Sequence, residues 1–457
     1  MEFITEVNAA INGFVWGPIM LSLLICIGLF ITVKTGFLQF KKFGYMLKNT
    51  ILGLGSKDQR SKDNAGVSPF QAVATAMAGT IGTGSIAGLA TAIVSGGPGA
   101  VFWMWISALL GMVTKYSEIV LSIHYREKNK KGEWVGGPMY YIKNGLKLKW
   151  LAGAFAIFAM IACLGTGNAT QSNSIAVALE STVGIKTWIT GLVLTVIAAA
   201  VILGGMRRIA SVNEKLVPIM AIFYVLASLI ALVVNAEKIP GAFALIFKEA
   251  FNFKAVAGGT AGYGIVLAMH YGFSRGVFSN EAGLGSAPIA HAASSVKDPV
   301  KQGLWGMFEV FFTTIIICTF SALIILTSGI WELTNLSGSA LSIASFNSIL
   351  PGFGGVVITL STVFFALSTI LGWAYYGEVC IGFLTKNAKA AVIAYRCIYV
   401  LFVFVGAVGN LELIWSISET MNGLMAIPNL IGVVCLVKVV VALTREHFNH
   451  KKNETVE

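Results

Sequence analysis

The sequence predicts an all-α polytopic membrane protein of about eleven transmembrane helices, an inverted five-plus-five repeat with two broken helices and one extra N-terminal helix. Composition is the first observation behind this. The 457 residues are 56% hydrophobic and 12% charged, with mean hydropathy +0.79, more apolar surface than a soluble domain can hide. The second is that lysines and arginines cluster in every other connection between apolar stretches. The third is that two apolar stretches are interrupted at mid-span by glycine-rich polar runs, Gly79-Thr80-Ile81-Gly82-Thr83-Gly84-Ser85 and Tyr271-Gly272-Phe273-Ser274-Arg275-Gly276.

A window of about twenty residues places the spans in order. They run from Trp16 to Thr35, Phe70 to Val94, Gly99 to His124, Leu151 to Glu180, Thr187 to Leu203 and Val212 to Val234. The remainder are Gly258 to Gly283, Gln302 to Ile330, Gly354 to Leu384, Ala390 to Val408 and Ile417 to Leu443. Ile239 to Phe253 is amphipathic and too short to cross, and reads as an interfacial or re-entrant helix. The chain therefore divides into an N-terminal helix with a basic loop (1–65), a first five-helix repeat (66–236), an interfacial helix and extracellular connection (237–257), an inverted second repeat (258–444) and a tail (445–457).

Orientation follows from the loops. Lys34, Lys41, Lys42, Lys48, Lys57, Arg60 and Lys62 follow the first span, and Arg126, Lys128, Lys130, Lys131, Lys143, Lys147 and Lys149 the third. Arg207, Arg208, Lys215, Lys297, Lys301, Lys386, Lys389, Arg445, Lys451 and Lys452 continue the alternation. By the positive-inside rule these loops are cytoplasmic, with the N-terminus outside and the C-terminus inside a cell membrane. The net charge of +11 is thus a matter of topology rather than of nucleic-acid binding. The stretch after the first residues is long and follows Glu2 and Glu6, so no cleavable signal is expected. Cys26, Cys163, Cys318, Cys380, Cys397 and Cys435 are scattered singly, which suits neither a disulfide framework nor a metal site.

Breaks inside hydrocarbon are costly, because every amide and carbonyl there needs a partner. They survive where they line a ligand site, and a pair at corresponding positions of a repeat marks a transporter's midplane site. The competing reading is a glycine seam for close helix packing.

The chain resembles the sodium:alanine (glycine) symporter family. The likeness rests on Gly79 to Gly88, on Gly96-Gly97-Pro98-Gly99-Ala100-Val101-Phe102-Trp103-Met104-Trp105, and on the run from Arg275-Gly276 through Asn280-Glu281-Ala282-Gly283 to Pro288. Trp16-Gly17-Pro18, Lys34-Thr35-Gly36-Phe37 and Gly136-Gly137-Pro138-Met139-Tyr140-Tyr141 extend it over nearly the whole chain. The resemblance implies a leucine-transporter-like fold that carries a small neutral amino acid inward with Na+. Alternatives are glutamine or a broader neutral substrate, and H+ as the coupling ion.

A zwitterion held without water needs donors for its carboxylate and acceptors for its ammonium. Amides freed around Gly82, Thr83 and Gly84 open a half-helix that attracts an anion, and carbonyls around Ala78, Gly79 and Ile81 end the preceding one. Thr80, with Gly272 and Phe273 at the second run, completes the expected lining. The shared fold implies a Na+ site of Ala78 and Ile81 carbonyls, Ser368 and Thr369 hydroxyls and the Phe365 carbonyl, hard oxygens that suit a small cation. Those hydroxyls can instead bond back to their own helix. A second cation would use position 85, where the family usually carries Asn and this chain has the shorter Ser85; one Na+ is therefore expected.

Asn168, Gln171 and Asn173 lie in the fourth span; Asn168 and Gln171, at helical spacing, share a face that meets either the substrate or another helix. Trp373, a turn beyond Thr369, either caps the side-chain end of the pocket or packs in the core. Lys115 and Glu118 read as a structural pair near the cytoplasmic side rather than a proton relay, and Arg275 with Glu281 as a gate or brace closing the cytoplasmic path in preference to Arg275 holding the carboxylate directly. Glu378 and His270 are unassigned, with packing the favoured reading of His270 over a proton carrier. No nucleophile–base pair or carboxylate dyad points to an enzyme, and broken helices under inverted symmetry fit alternating access better than a channel. The expected partners are a small neutral amino acid and the lipid bilayer, with no obligatory protein partner.

Overall fold

The computed structural model describes residues 2–54, 65–252, 263–409 and 412–454. Lys57, Arg60, Lys62, the side chains of Lys451 and Lys452, and the start of the seventh span at Gly258 lie outside the described residues. Among the described residues, seven helices are long and apolar enough to cross a membrane, and nine if each of two bent pairs counts as one span. Apart from a two-stranded hairpin, Glu127–Lys128 with Trp134–Val135, the architecture is helical.

The N-terminal α1 (Glu2–Val15) and α2 (Pro18–Lys34) meet at Trp16-Gly17, where Pro18 opens the second helix. The first broken span is α3 (Pro69–Thr80) and α4 (Ala87–Gly96), bent by 58°. Ser68 starts α3 with a capping box, accepting from the Gln71 amide while Gln71 Oε1 accepts from the Ser68 amide. Next come α5 (Ala100–His124), α6 (Lys149–Leu164), a π-helical turn at Gly165–Ala169, and α7 (Thr170–Val183). α8 (Thr187–Ile202) and α9 (Met206–Val234) face outward, with Leu192, Val196, Ile219, Ile222 and Leu226 exposed as a lipid-facing belt. The short α10 (Ile239–Ala250) lies across the start of α5, where the Trp103 indole donates to the Ala250 carbonyl at 3.1 Å.

The second half contains α11 (Tyr263–Asn280), α12 (Ala287–Ala292) and α13 (Pro299–Val310). α13 passes through a π-helical stretch, Phe311–Cys318, into α14 (Thr319–Ser328), and α15 (Gly338–Ile349) follows. α16 (Gly354–Leu384), α17 (Lys389–Val408), α18 (Glu412–Leu424), α19 (Ala426–Cys435) and α20 (Val437–Glu454) complete the chain. α1 is stitched along α18: Asn8 donates to Ser416 at 2.6 Å, Asn12 to Thr420 at 3.0 Å, and the Trp16 indole to the Glu419 carbonyl at 3.1 Å.

One expectation about this architecture is corrected. The run Tyr271 to Gly276 is not a break, because α11 continues through it to Asn280. Its glycines serve close packing: a Cβ on Gly272 would lie 2.6 Å from Trp103 Cβ, and one on Gly276 2.9 Å from the Ser107 hydroxyl. The interruption comes next, at residues 281–286, where Glu281, Gly283 and Gly285 have φ of 57°, 92° and 82°. Two of these three are glycines, which take such angles at little cost.

The far ends of both interrupted spans meet in a β-bridge. The Val67 amide donates to the Ala293 carbonyl at 3.0 Å and the Ser295 amide to the Val67 carbonyl at 2.9 Å. The bridge is parallel; α3 follows it in the chain and α12 precedes it.

Candidate transport site

At the end of α3 the helical ladder stops. Ile81 still donates to the Met77 carbonyl at 2.7 Å, but Gly82 turns back to Thr80 and a one-turn 3-10 helix, Thr83–Ser85, follows. A helix start leaves its first N–H groups without intrahelical partners, and those of Thr83 and Gly84 occupy that position.

The carbonyls freed at this break are met by α16. The Thr369 hydroxyl lies 2.9 Å from the Ala78 carbonyl, with Ser368 at 3.4 Å, and the Trp373 indole donates to the Gly79 carbonyl at 3.3 Å. Both hydroxyls also lie 2.9 Å from the Phe365 carbonyl. Residues 365, 368, 369 and 373 recur at helical spacing, so one stripe of α16 serves the broken end. Ala78, Phe365, Ser368 and Thr369 are therefore brought together as an all-oxygen cluster, and the alternative of back-bonding to the same helix is realised alongside it. Ile81 is fully buried at the break.

Across from this stripe stands Gln171. Its carbonyl oxygen accepts from the Thr83 hydroxyl at 3.2 Å, and its amide donates to the Thr166 carbonyl at 3.1 Å. A Cβ on Gly82 would sit 2.9 Å from Thr369 Oγ1 and 3.6 Å from Gln171 Oε1, so Gly82, Thr83, Gln171 and Thr369 come together as one polar group. Aromatic groups close its flanks. A Cβ on Gly84 would be 2.9 Å from Phe278 Cδ1, and Trp373 packs against Gly167.

Several expected site residues lie elsewhere. The Asn168 amide donates to the Tyr399 carbonyl at 2.6 Å, away from the break. It lies inside the π-helical turn, whose wider repeat breaks the i, i+3 register that would align it with Gln171. Asn173 likewise donates to the Gly406 and Gly409 carbonyls. Thr80 turns its hydroxyl to Glu309, 2.5 Å away, and Phe273 packs with Trp103 at a ring separation of 6.2 Å, with Gly272 in the seam beside it. The Ser85 hydroxyl meets Ser279 at 3.1 Å.

The charged residues regroup as well. Lys115 does not pair with Glu118: its ammonium contacts Glu309 at 2.7 Å, the Asn280 carbonyl at 2.8 Å and the Thr80 hydroxyl at 3.2 Å. Glu118 instead accepts from Asn429 at 2.5 Å and from the Gly283 amide at 3.0 Å. Arg275 pairs with Glu419 at 3.8 Å and lies over the Phe278 ring. Glu281 accepts from Ser286 at 2.5 Å, so Arg275 and Glu281 each have a partner other than the other. Glu378 forms a two-pronged ion pair with Arg396, at 2.6 and 2.8 Å. These two line a 510 Å³ cavity on the basic-loop side, with Val67, Arg207 and Tyr375. Sequence reasoning missed Phe278 and Glu309. The signal for Glu309 was a lone carboxylate inside an apolar span, which needs a cation from another helix.

The whole chain, residues 1–457, matches the sodium:alanine symporter family. The chain belongs to that family. It is 47% identical to the sodium/alanine symporter AgcS of Methanococcus maripaludis, over 99% of both chains. It is 36% identical to a Bacillus subtilis protein named probable sodium/glutamine symporter GlnT, over 99% of this chain and 92% of that one. Among solved structures, a manganese transporter of Eremococcus coleocola shares the fold with a TM-score of 0.51 and 13% identity, over 81% of this chain and 79% of that one. The symporter is thus a multi-pass integral membrane protein and a secondary transporter of small neutral amino acids, not an enzyme.

Proposed function

We propose that this chain imports alanine or glycine together with one Na+ by alternating access, through an inverted five-plus-five fold of about eleven spans whose N-terminus is outside. The observation that carries the reading is the convergence of the Ala78 and Phe365 carbonyls with the Ser368 and Thr369 hydroxyls beside the break. Four neutral oxygens form a donor set suited to a hard monovalent cation, with the Met220 sulfur 3.4 Å from the Ser368 hydroxyl at its edge. The ion is cargo here, and its charge balances the negative end of α3.

The amino acid belongs in the adjoining space. In this reading the Thr83 and Gly84 amides meet its carboxylate, and Gln171 adds neutral polar contacts without fixing an anion too tightly to release. Trp373 against Gly167 and Phe278 against Gly84 leave little room for a side chain, which favours alanine and glycine over glutamine. Interruptions in both halves of the chain, after Thr80 and after Asn280, support the repeat.

The test is uptake into proteoliposomes of each labelled amino acid with and without a Na+ gradient, followed by the reversal potential of alanine-dependent current. One positive charge per alanine is expected. Accumulation driven equally by a proton gradient alone, or preference for glutamine, overturns the assignment.

A further inference from the structure

The ammonium of Lys115 makes three contacts, to Glu309 Oε1 at 2.7 Å, to the Asn280 carbonyl at 2.8 Å and to Thr80 Oγ1 at 3.2 Å. Three N–H donors meet three oxygens, which is the full complement of an ammonium. Lys115 and Glu309 have no solvent exposure. The partners are not scattered: Thr80 is the last residue of α3 and Asn280 the last of α11, so the charge sits where both interrupted helices end. Helix C-termini carry partial negative charge, and a cation there offsets it.

Glu309 is held from its other side too. Its Oε2 lies 3.3 Å from His291 Nε2, and His291 Nδ1 is 2.8 Å from the Gln302 amide, whose oxygen accepts from Ser294. That chain fixes the carboxylate and runs through α12 to the bridge at Val67. The other carboxylates nearby are engaged elsewhere, Glu118 with Asn429 and Gly283, Glu281 with Ser286. Lys115 is therefore matched to Glu309 alone.

We propose that the Lys115 ammonium is a built-in cation, caged by Glu309, Thr80 and Asn280 at the junction of the interrupted helices, which takes the place of a second bound Na+ and so limits coupling to one Na+ per amino acid. The inference rests on the Na+-coupled reading above and adds a stoichiometry-setting residue to it. Its cage is made of hard oxygens, one of them charged. If the ammonium is removed, the same oxygens suit a small cation.

Lys115→Ala tests this. The purified variant is melted in equimolar NaCl and KCl, and its uptake of alanine is measured against Na+ concentration. The expected result is a stabilisation by Na+ over K+ larger than in the parent protein, with the Hill coefficient for Na+ rising from about one to about two. Lys115→Ala combined with Glu309→Gln removes the cage's charge and should return the coefficient to about one. A Lys115→Ala protein with an unchanged Na+ response overturns the proposal, as does one that cannot be kept folded in either salt. If the parent protein shows no Na+ dependence, the coupling assignment fails by itself; the melting of Lys115→Ala in the two salts still decides whether the cage takes a cation.

Discussion

The hydroxyl of Thr369 lies 2.9 Å from the carbonyl of Ala78, joining the middle of a continuous helix to the end of an interrupted one. Two helices thereby supply one oxygen cluster. Any ion between them draws α3 and α16 together, and any movement that parts them dismantles the site.

Thr369→Ala should raise the Na+ concentration for half-maximal uptake about tenfold, the equivalent of about 1.4 kcal/mol for one lost oxygen contact. Thr369→Ser keeps the oxygen and should stay within about threefold of the parent, since the hydrogen-bonding group is unchanged. Uptake titrated with Na+ at fixed alanine measures both. Equal half-saturation in parent and Thr369→Ala would remove this hydroxyl from the site.

Gly82 and Gly272 separate a ligand role from a packing role. Gly82→Ala places a methyl group 2.9 Å from Thr369 Oγ1 and should abolish uptake with little loss of folded protein. Gly272→Ala puts one 2.6 Å from Trp103 Cβ and should cost about 1–3 kcal/mol of stability by overpacking, with alanine half-saturation of the folded fraction unchanged. Thermal unfolding and uptake on the same preparations distinguish them.

Phe278→Ala removes the ring beside Gly84. Valine and leucine should then compete for alanine uptake, because each added methylene admitted to an apolar pocket changes discrimination by about 1–3 kcal/mol. Competition by a panel of unlabelled amino acids is the measurement, and an unaltered substrate range would free Phe278 of this role.

Outside the spans, Asp298 caps α13 by accepting from the Val300 amide and meets His447 at 2.6 Å. Burial raises its carboxyl's pKa, but the hydrogen bond and charge of His447 and the amides of Val300 and Lys301 outweigh this and hold it below the ordinary value. A carboxyl with a depressed folded pKa contributes stability above its unfolded value of about 3.9 and loses it as pH falls through the folded value. Asp298→Ala should therefore cost about 1 kcal/mol at neutral pH, the usual worth of a cap. Melting curves of parent and variant should begin to converge as pH falls below about 4 and meet only below the depressed folded pKa.

The first interruption was legible because Gly79 to Ser85 combines glycines with hydroxyl residues inside an apolar span, and both helix ends and the α16 oxygens fall where that pattern leads. The second was read one turn and more too early. Glycine serves two ends, and Gly272 and Gly276 meet α5 in a seam while Gly283 and Gly285 carry the turn. Pro288, in the first turn of α12, marks the true restart. Asn168 was read with the substrate or another helix as its partner, and it bonds the Tyr399 carbonyl of α17. Helical spacing assumes a uniform repeat, and nothing in Gly165 to Ala169 announces a π turn. Lys115 found Glu309 rather than Glu118 because partners across helices depend on packing that sequence spacing does not encode.

The bridge between Val67 and its partners Ala293 and Ser295 makes the two arms a single lever. Separating them requires breaking two amide hydrogen bonds, worth about 1–3 kcal/mol together, whereas swinging them as one breaks neither. A displacement of α12 that keeps this bridge is therefore passed on to α3.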